Sequence, residues 1–184
     1  MENDIEKLKF PIGKYKAILE FNFSRTIQDI KTLESFANNL KDSVKGLDKT
    51  DFKKTYRDGG MNIAQIIHHY CDTHTYAFLR TKHTLLEDNP SVKMYEVSEF
   101  LTTPESNVLD VEDSLKVIEG IHAKWVSLLK TLSENDFNKT YYHSARDKNI
   151  ILHEHVGMYA WHTKHHLVHI GIAKESIKEK GKRS

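Results

Sequence analysis

The chain has 184 residues, 39% hydrophobic and 29% charged, which is enough apolar content for one globular domain spanning 1–184. Its 27 Lys and Arg against 26 Asp and Glu give no field for a nucleic-acid partner, and no window approaches the roughly 18 uncharged apolar residues of a membrane span. Cys71 is the one cysteine, so an internal disulfide is excluded; with a charged N-terminus that lacks an apolar export segment, a cytoplasmic protein is expected.

Residues 1–24 lack a clean period and are expected as an extended arm. Phe10-Pro11-Ile12-Gly13-Lys14-Tyr15 holds a turn, because Pro disfavours helix in the residue before it. Ser24 or Thr26 is the expected cap of a first helix over about 26–46, along which Ile27, Ile30, Leu33, Phe36, Leu40 and Val44 recur at three and four. Asp58-Gly59-Gly60 is a turn. The second helix runs from Met61 to about Glu87 and stops at Asn89-Pro90.

Residues 88–111 read as a long connection with a short helix near Val97–Leu101, a length that suits a crossover between distant helix ends. Leu115, Ile118, Ile121, Trp125, Leu128 and Leu132 place the third helix over about 111–132. Polar sequence follows to Asn149, with a short extended piece at Tyr141-Tyr142. A fourth helix starts near Ile150 and runs to about Glu175 or beyond. A basic, frayed tail is expected over 176–184.

An internal echo organises these elements. Leu47-Asp48-Lys49-Thr50-Asp51-Phe52-Lys53-Lys54-Thr55-Tyr56 resembles Leu132-Ser133-Glu134-Asn135-Asp136-Phe137-Asn138-Lys139-Thr140-Tyr141. Each copy follows one amphipathic helix and precedes another. Two helix–linker–helix halves give an all-α four-helix bundle with a long crossover between helices 2 and 3.

Twelve histidines are unusual, and seven lie from His143 onward. On the fourth helix His155, Met158, Tyr159, His162, His166 and His169 share one stripe that faces the bundle interior. Buried imidazoles must be hydrogen-bonded or metal-bound. A single buried histidine is most simply a satisfied core residue, but His162 and His166 are four apart, which brings two imidazoles onto one ion. The third ligand is expected from helix 2. Spacing leaves it open among His68, His69 and His74.

Gly59-Gly60-Met61-Asn62-Ile63-Ala64-Gln65-Ile66-Ile67-His68-His69, then Asp72-Thr73-His74, Arg80-Thr81-Lys82 and Glu87-Asp88-Asn89-Pro90, resembles the DinB/YfiT family of metal-binding four-helix proteins. The segment with His122 and Trp125, the run Tyr159-Ala160-Trp161-His162 through His165-His166 to His169-Ile170, and the opening Phe10-Pro11-Ile12-Gly13 are similar to the same family, over about residues 8–172. The resemblance implies three histidine ligands on one divalent metal ion, zinc first and nickel as another possibility. It singles out His69 to join His162 and His166, and makes His68, His74, His155, His165 and His169 supporting residues. Met61 and His155 depart from the family pattern, which has Trp and a small apolar residue there.

The resemblance also implies an enzyme. One reading transfers a low-molecular-weight, bacillithiol-like thiol to an electrophile through a metal-bound thiolate; another hydrolyses with a metal-bound hydroxide. A third, non-enzymatic reading has a structural or sensory metal. The thiol reading is preferred because no Asp or Glu lies within one turn of His162 or His166. Tyr159, Arg80 and Asp72 are the catalytic candidates, although Tyr159 also reads as a core tyrosine and Arg80 as a solvated helix-face residue. Cys71 and Trp125 read as packing. The expected partners are the small-molecule thiol or electrophile and, from the resemblance, a second copy of the chain in a homodimer.

Overall fold

A computed structural model describes residues 2–92 and 96–181. Four long helices make the frame: α2 (Phe23–Val44), α3 (Ile63–Leu86), α5 (Glu112–Leu129) and α7 (Leu152–Gly181). α2 packs against α5 and α7, and α3 against the same two. The two helices of each half, α2 with α3 and α5 with α7, therefore sit at diagonal corners, and α3 and α7 stand side by side. No helix of the described residues is long and apolar enough to cross a membrane.

Local chemistry sets the helix starts. The cap of α2 is Asn22, whose side chain accepts from Arg25 N at 2.9 Å, so the helix begins three residues before the expected 26. Ser24 and Thr26 lie inside it, and the Thr26 hydroxyl donates back to Asn22 O. Asn62 and Gln65 form a reciprocal capping box at the start of α3. The turn before it needs Gly59 at φ +61, and a Cβ on Gly60 would meet the Tyr56 ring at 2.9 Å.

The internal echo is also a structural one. In the first copy Asp51 and Asp48 accept from each other's backbone N–H; in the second, Asp136 and Ser133 do so. Lys54 O then accepts from Ile63 N, and its counterpart Lys139 O accepts from Leu152 N. Each linker thus docks on the first residue of its own following helix, α3 or α7.

Three expectations need correction. First, α1 (Glu2–Lys9) is helical, where an arm was expected from the first residue. Eight residues are too few for a helix that is stable alone in water, and this one is held by docking on α7. The arm proper runs antiparallel to α7: Phe10 meets His165, Tyr15 meets Trp161, and Phe21 meets His153. Second, the polar stretch before α7 holds α6 (Glu134–Phe137) and a hairpin of β2 (Thr140–His143) and β3 (Lys148–Ile151). β1 (Ser91–Val92), in the crossover, pairs parallel to β2, with Ser91 opposite Tyr142. The short helix α4 (Val97–Phe100) lies where one was expected. Third, the backbone of α7 continues through Gly181, as a helix running to Glu175 or beyond allows, so most of the tail expected to fray is helical; residues 182–184 lie outside the described residues.

The bundle core is in two apolar clusters, and a third, small one of Val92, Tyr141 and Ile150 lies in the sheet. Of the two in the bundle, one holds Phe36, Leu40, Ile67, Tyr70, Ile118 and Ile170; the other holds Leu33, Ala77, Trp125, Leu129 and Val156. On α3, α5 and α7 the boundary between them is marked by histidine: His74, His122, and the pair His162 and His166. The bundle carries a layer of imidazoles between two greasy halves.

Two buried histidines act as fasteners. His122 Nδ1–H donates to Leu33 O at 2.8 Å, tying α5 to α2. His155 Nε2–H donates to Ala77 O at 3.1 Å while its Nδ1 accepts from the Tyr141 hydroxyl at 2.9 Å, tying the hairpin to α7 and α3. Burial pushes His122 down to about 4 and His155 down to about 3 from the ordinary 6.5. Both are neutral in the fold, whereas the unfolded chain takes up a proton at each below about 6.5. The stability they contribute is full above about pH 6.5 and is lost as pH falls through that value toward 4 and then 3. Denaturant unfolding of chelator-treated protein at about pH 7.5, 6 and 5 is expected to give a free energy that falls at each step; a flat profile would contradict the burial of these two rings.

Candidate metal centre

His69, on the face of α3 turned toward α7, meets His162 and His166 from one face of α7. The ligand-capable nitrogens of the three lie within 4.8 Å of one another. His69 Nε2 and His162 Nε2 are 3.1 Å apart. Two nitrogens at about 2.0–2.1 Å from one zinc ion at a tetrahedral angle lie roughly 3.3 Å apart, so this spacing suits a shared ion. His69 and His166 are buried and His162 is partly exposed, so the cluster is open on one side.

All three rings are neutral at pH 7, as ligation requires. Burial pushes His69 down to about 4 and the other two well below 6.5, with the neighbouring imidazoles adding to the effect. A neutral imidazole has one N–H and one lone pair, and the hydrogen bonds decide which nitrogen has which. Leu33 O can only accept, so His122 carries its proton on Nδ1 and accepts at Nε2. His74 Nδ1–H donates to that nitrogen at 2.7 Å, which leaves His74 Nε2 to accept from His162 Nδ1–H at 3.1 Å. The lone pair of His162 is therefore on Nε2, the atom facing His69.

The second ligand of α7 follows the same logic. Leu8 O accepts from His169 Nε2–H at 3.0 Å, so His169 Nδ1 is an acceptor and takes the Nδ1–H of His166 at 3.1 Å. His166 then has its lone pair on Nε2, which has no partner among the described residues. His69 Nδ1 meets the Thr73 hydroxyl at 3.2 Å. With that nitrogen protonated, three Nε2 lone pairs converge. Facing lone pairs repel, and a cation between them turns the repulsion into ligation. The donor set fits a divalent ion held by three imidazoles with a fourth position open.

His165, His166 and His169 also have ligand nitrogens within 4.8 Å of one another. In that group both nitrogens of His169 are already hydrogen-bonded, to Leu8 and to His166. Ligation through either nitrogen of His169 would break one of these bonds, so the group is a weaker site than the first.

Of the helix-2 alternatives, His69 is at the cluster. His74 is one hydrogen bond behind it, against His162. His68 is elsewhere: its Nε2–H donates to Val108 O and its Nδ1 accepts from Ser114, tying α3 to the crossover and α5. His155 is likewise bonded to Tyr141 and Ala77 and supports no ligand directly. His165 stacks on Trp161 with ring centres 4.5 Å apart and flanks His166 at 4.8 Å. Asp72 does not line the site; its electrostatic neighbours are Glu105 and His68, on the other side of α3. Arg80 is not the solvated residue its helix position suggested: it is buried at 6% exposure and donates to the Tyr159 hydroxyl at 3.3 Å. Cys71 is half-buried against the core, as a packing residue should be.

A cleft of about 210 Å³ opens onto His69 and His162. Arg80, Tyr159, Met158 and Trp161 line it, with His143 and Arg146 from the β2–β3 hairpin, and no carboxylate does so among the described residues. The extended piece expected at Tyr141-Tyr142 lies within β2, but the place of His143 and Arg146 in the cleft is not legible in the sequence, because two four-residue strands do not show which side chains reach a site on α3 and α7.

The family model described as the DinB superfamily matches residues 32–170. The chain is 33% identical over 171 residues to a candidate metal-dependent hydrolase of Geobacillus kaustophilus, covering 93% of this chain and 96% of that one. It is 31% identical over 163 residues to the candidate metal-dependent hydrolase YfiT of Bacillus subtilis, covering 89% and 92%. The solved structure of YfiT, described as having an unusual four-helix bundle topology, superposes with a TM-score of 0.90 at 30% identity, over 94% of this chain and 98% of that one.

The two histidine groups are separable by elemental analysis of zinc-reloaded protein. His69→Ala is expected to lose the ion and His165→Ala to keep about one per chain; the reverse pattern would move the centre to the His165–His169 side.

Proposed function

The chain belongs to the DinB superfamily, and we propose that it is a divalent-metal-dependent enzyme that activates a low-molecular-weight thiol for attack on an electrophile. In this reading His69, His162 and His166 hold the ion through Nε2. Bound there, a dication supplies Lewis acidity, which lowers the pKa of a thiol or water at its open position.

One observation carries the choice of nucleophile. The cleft beside the three histidines is lined by Arg80, Arg146, Tyr159 and neutral imidazoles, with no carboxylate among its described residues. Hydrolysis usually needs a general base, a carboxylate or an imidazole, to take the proton of the attacking water; burial pushes His143, the cleft imidazole outside the ligand set, down to about 4, which makes it a weak base. A thiol, more acidic by far than water, needs none beyond the cation. The relatives' names favour the second reading, in which water replaces the thiol in the same site.

The chain's own residues would orient the substrate. Burial holds the Tyr159 hydroxyl above its usual range, against the opposing pull of Arg80, so it stays protonated. Arg80 donates to its oxygen, and the Tyr159 proton has no acceptor among the described residues. That leaves an O–H donor at the cleft wall for an electrophile or its departing group. The buried guanidinium of Arg80 and the exposed one of Arg146 favour an anionic ligand. A second copy of the chain in a homodimer belongs to this reading as a further proposal, supported by the family resemblance.

The test is turnover of an aryl halide electrophile by the zinc-loaded chain, with and without a panel of small thiols. Thioether is expected only with thiol and metal both present. Halide release that does not depend on thiol would overturn the transfer reading in favour of hydrolysis. Tyr159→Phe is expected to lower kcat/KM about tenfold to a hundredfold at unchanged zinc content, the size of one hydrogen bond to a developing charge.

A further inference from the structure

We infer that His122 with His74, and separately His169, are positioning residues: two hydrogen-bonded chains, each ending on a backbone carbonyl, fix His162 and His166 with Nδ1 protonated and Nε2 bare. The inference rests on the metal-centre reading above and adds to it the origin of the ligands' tautomers.

The first chain runs Leu33 O, His122, His74, His162, with successive distances of 2.8, 2.7 and 3.1 Å. It crosses the bundle from α2 through α5 and α3 to α7. Each ring has one donor and one acceptor, so the direction of the whole chain is decided at its far end. A carbonyl cannot donate; the proton on His122 Nδ1 therefore dictates the proton on His162 Nδ1, two hydrogen bonds away. The rings are caged against rotation, with Phe36 packed on both His122 and His74, at 4.8 and 5.3 Å between ring centres. His122 and His74 are 2% and 0% exposed, so water cannot readily supply a substitute partner.

The second chain runs Leu8 O, His169, His166, at 3.0 and 3.1 Å. Here Tyr56 stacks flat on His169, 3.8 Å between ring centres with planes 13° apart. Its carbonyl end is in α1, so the short N-terminal helix gains a purpose: it accepts from His169, 161 residues away in sequence, and through that ring sets the proton on the ligand His166. Tyr56 is the last residue of the first copy of the internal echo, and its counterpart Tyr141 bonds the other buried fastener, His155.

A ligand imidazole with its second nitrogen hydrogen-bonded is oriented and made more basic, and removing such a partner typically costs about 10–100-fold in metal affinity. What is particular here is that the partner is another histidine, which could hold its proton on either nitrogen if nothing fixed it. Without its carbonyl end, each chain could reverse and place a proton on the nitrogen that should bind metal.

The test uses the full chain, labelled with 15N, as native protein and as His122→Phe, His122→Gln and His169→Phe. Long-range 1H–15N spectra of the zinc-free forms read which ring nitrogen is protonated, and competition with a chelator gives the zinc affinity. The native spectrum is expected to show Nδ1–H at His162 and His166 and Nε2–H at His169. His122→Phe should scramble His162 alone and weaken zinc about 10–100-fold, and His169→Phe should do the same through His166. His122→Gln, whose amide oxygen can still accept from His74, should recover most of the affinity. Native His162 or His166 protonated at Nε2 would overturn the inference even if neither Phe variant folds. So would folded Phe variants with native tautomers and native affinity. Zinc that leaves the His69, His162 and His166 signals unmoved, with the tautomers as expected, would instead overturn the metal centre. The two failures are thus distinguishable.

Discussion

A neutral imidazole buried away from water must put its one proton on an acceptor and offer its one lone pair to something. That constraint, repeated across a layer of histidines, shapes this bundle more than any single apolar contact. Leaving one such nitrogen unmet costs about 1–3 kcal/mol, comparable to a whole buried methyl-bearing side chain. The fold meets the requirement by giving the outermost rings carbonyls from Leu33, Leu8, Ala77 and Val108, and by passing the remaining lone pairs inward. The last lone pairs in the sequence, those of His162 and His166, face His69 across a space the size of a metal ion. The centre is where the hydrogen bonding of the layer is left incomplete.

The diagonal placement of the two helices within each half makes this possible. α3 and α7 begin from equivalent linkers, with Ile63 and Leu152 docked on Lys54 and Lys139. They are the counterparts of one another in the two halves, and they stand side by side. The internal echo therefore explains why two histidine-bearing helices face each other. A bundle with consecutive helices as neighbours would pair α3 with α2, which carries no histidine at all. The apolar clusters above and below the layer exclude water from it, which keeps the rings neutral and the ligands ready.

Much of this was legible in the sequence, because helices with one buried face announce themselves by period. The four long helices, the crossover, the His162–His166 pair and the inward stripe of α7 all follow from spacings of three and four. The choice among His68, His69 and His74 did not, since His68 and His69 lie off the Ile63–Ile67–Tyr70 face on opposite sides, His74 lies on it, and only tertiary contacts separate them. His68 and His69 differ by one residue, yet one bonds the crossover and the other meets His162. The direction of Asp72 and the burial of Arg80, which also read as solvated, were hidden for the same reason: a helix position gives an angle, and the neighbour at that angle comes from elsewhere in the chain. α1, and all of the hairpin but the extended piece at Tyr141-Tyr142, were invisible because their stability comes from docking, which leaves no mark on local composition.

The central claim is that one ion is held by the Nε2 atoms of His69, His162 and His166, with the protons of the α7 ligands turned away along the two chains. Anomalous diffraction at the zinc edge from crystals of the reloaded protein tests it most directly. The account predicts one anomalous peak at about 2.0–2.1 Å from those three atoms, with space for a fourth, non-protein ligand on the cleft side. A peak bound through Nδ1 of His166, or one seated between His165 and His169, would contradict it.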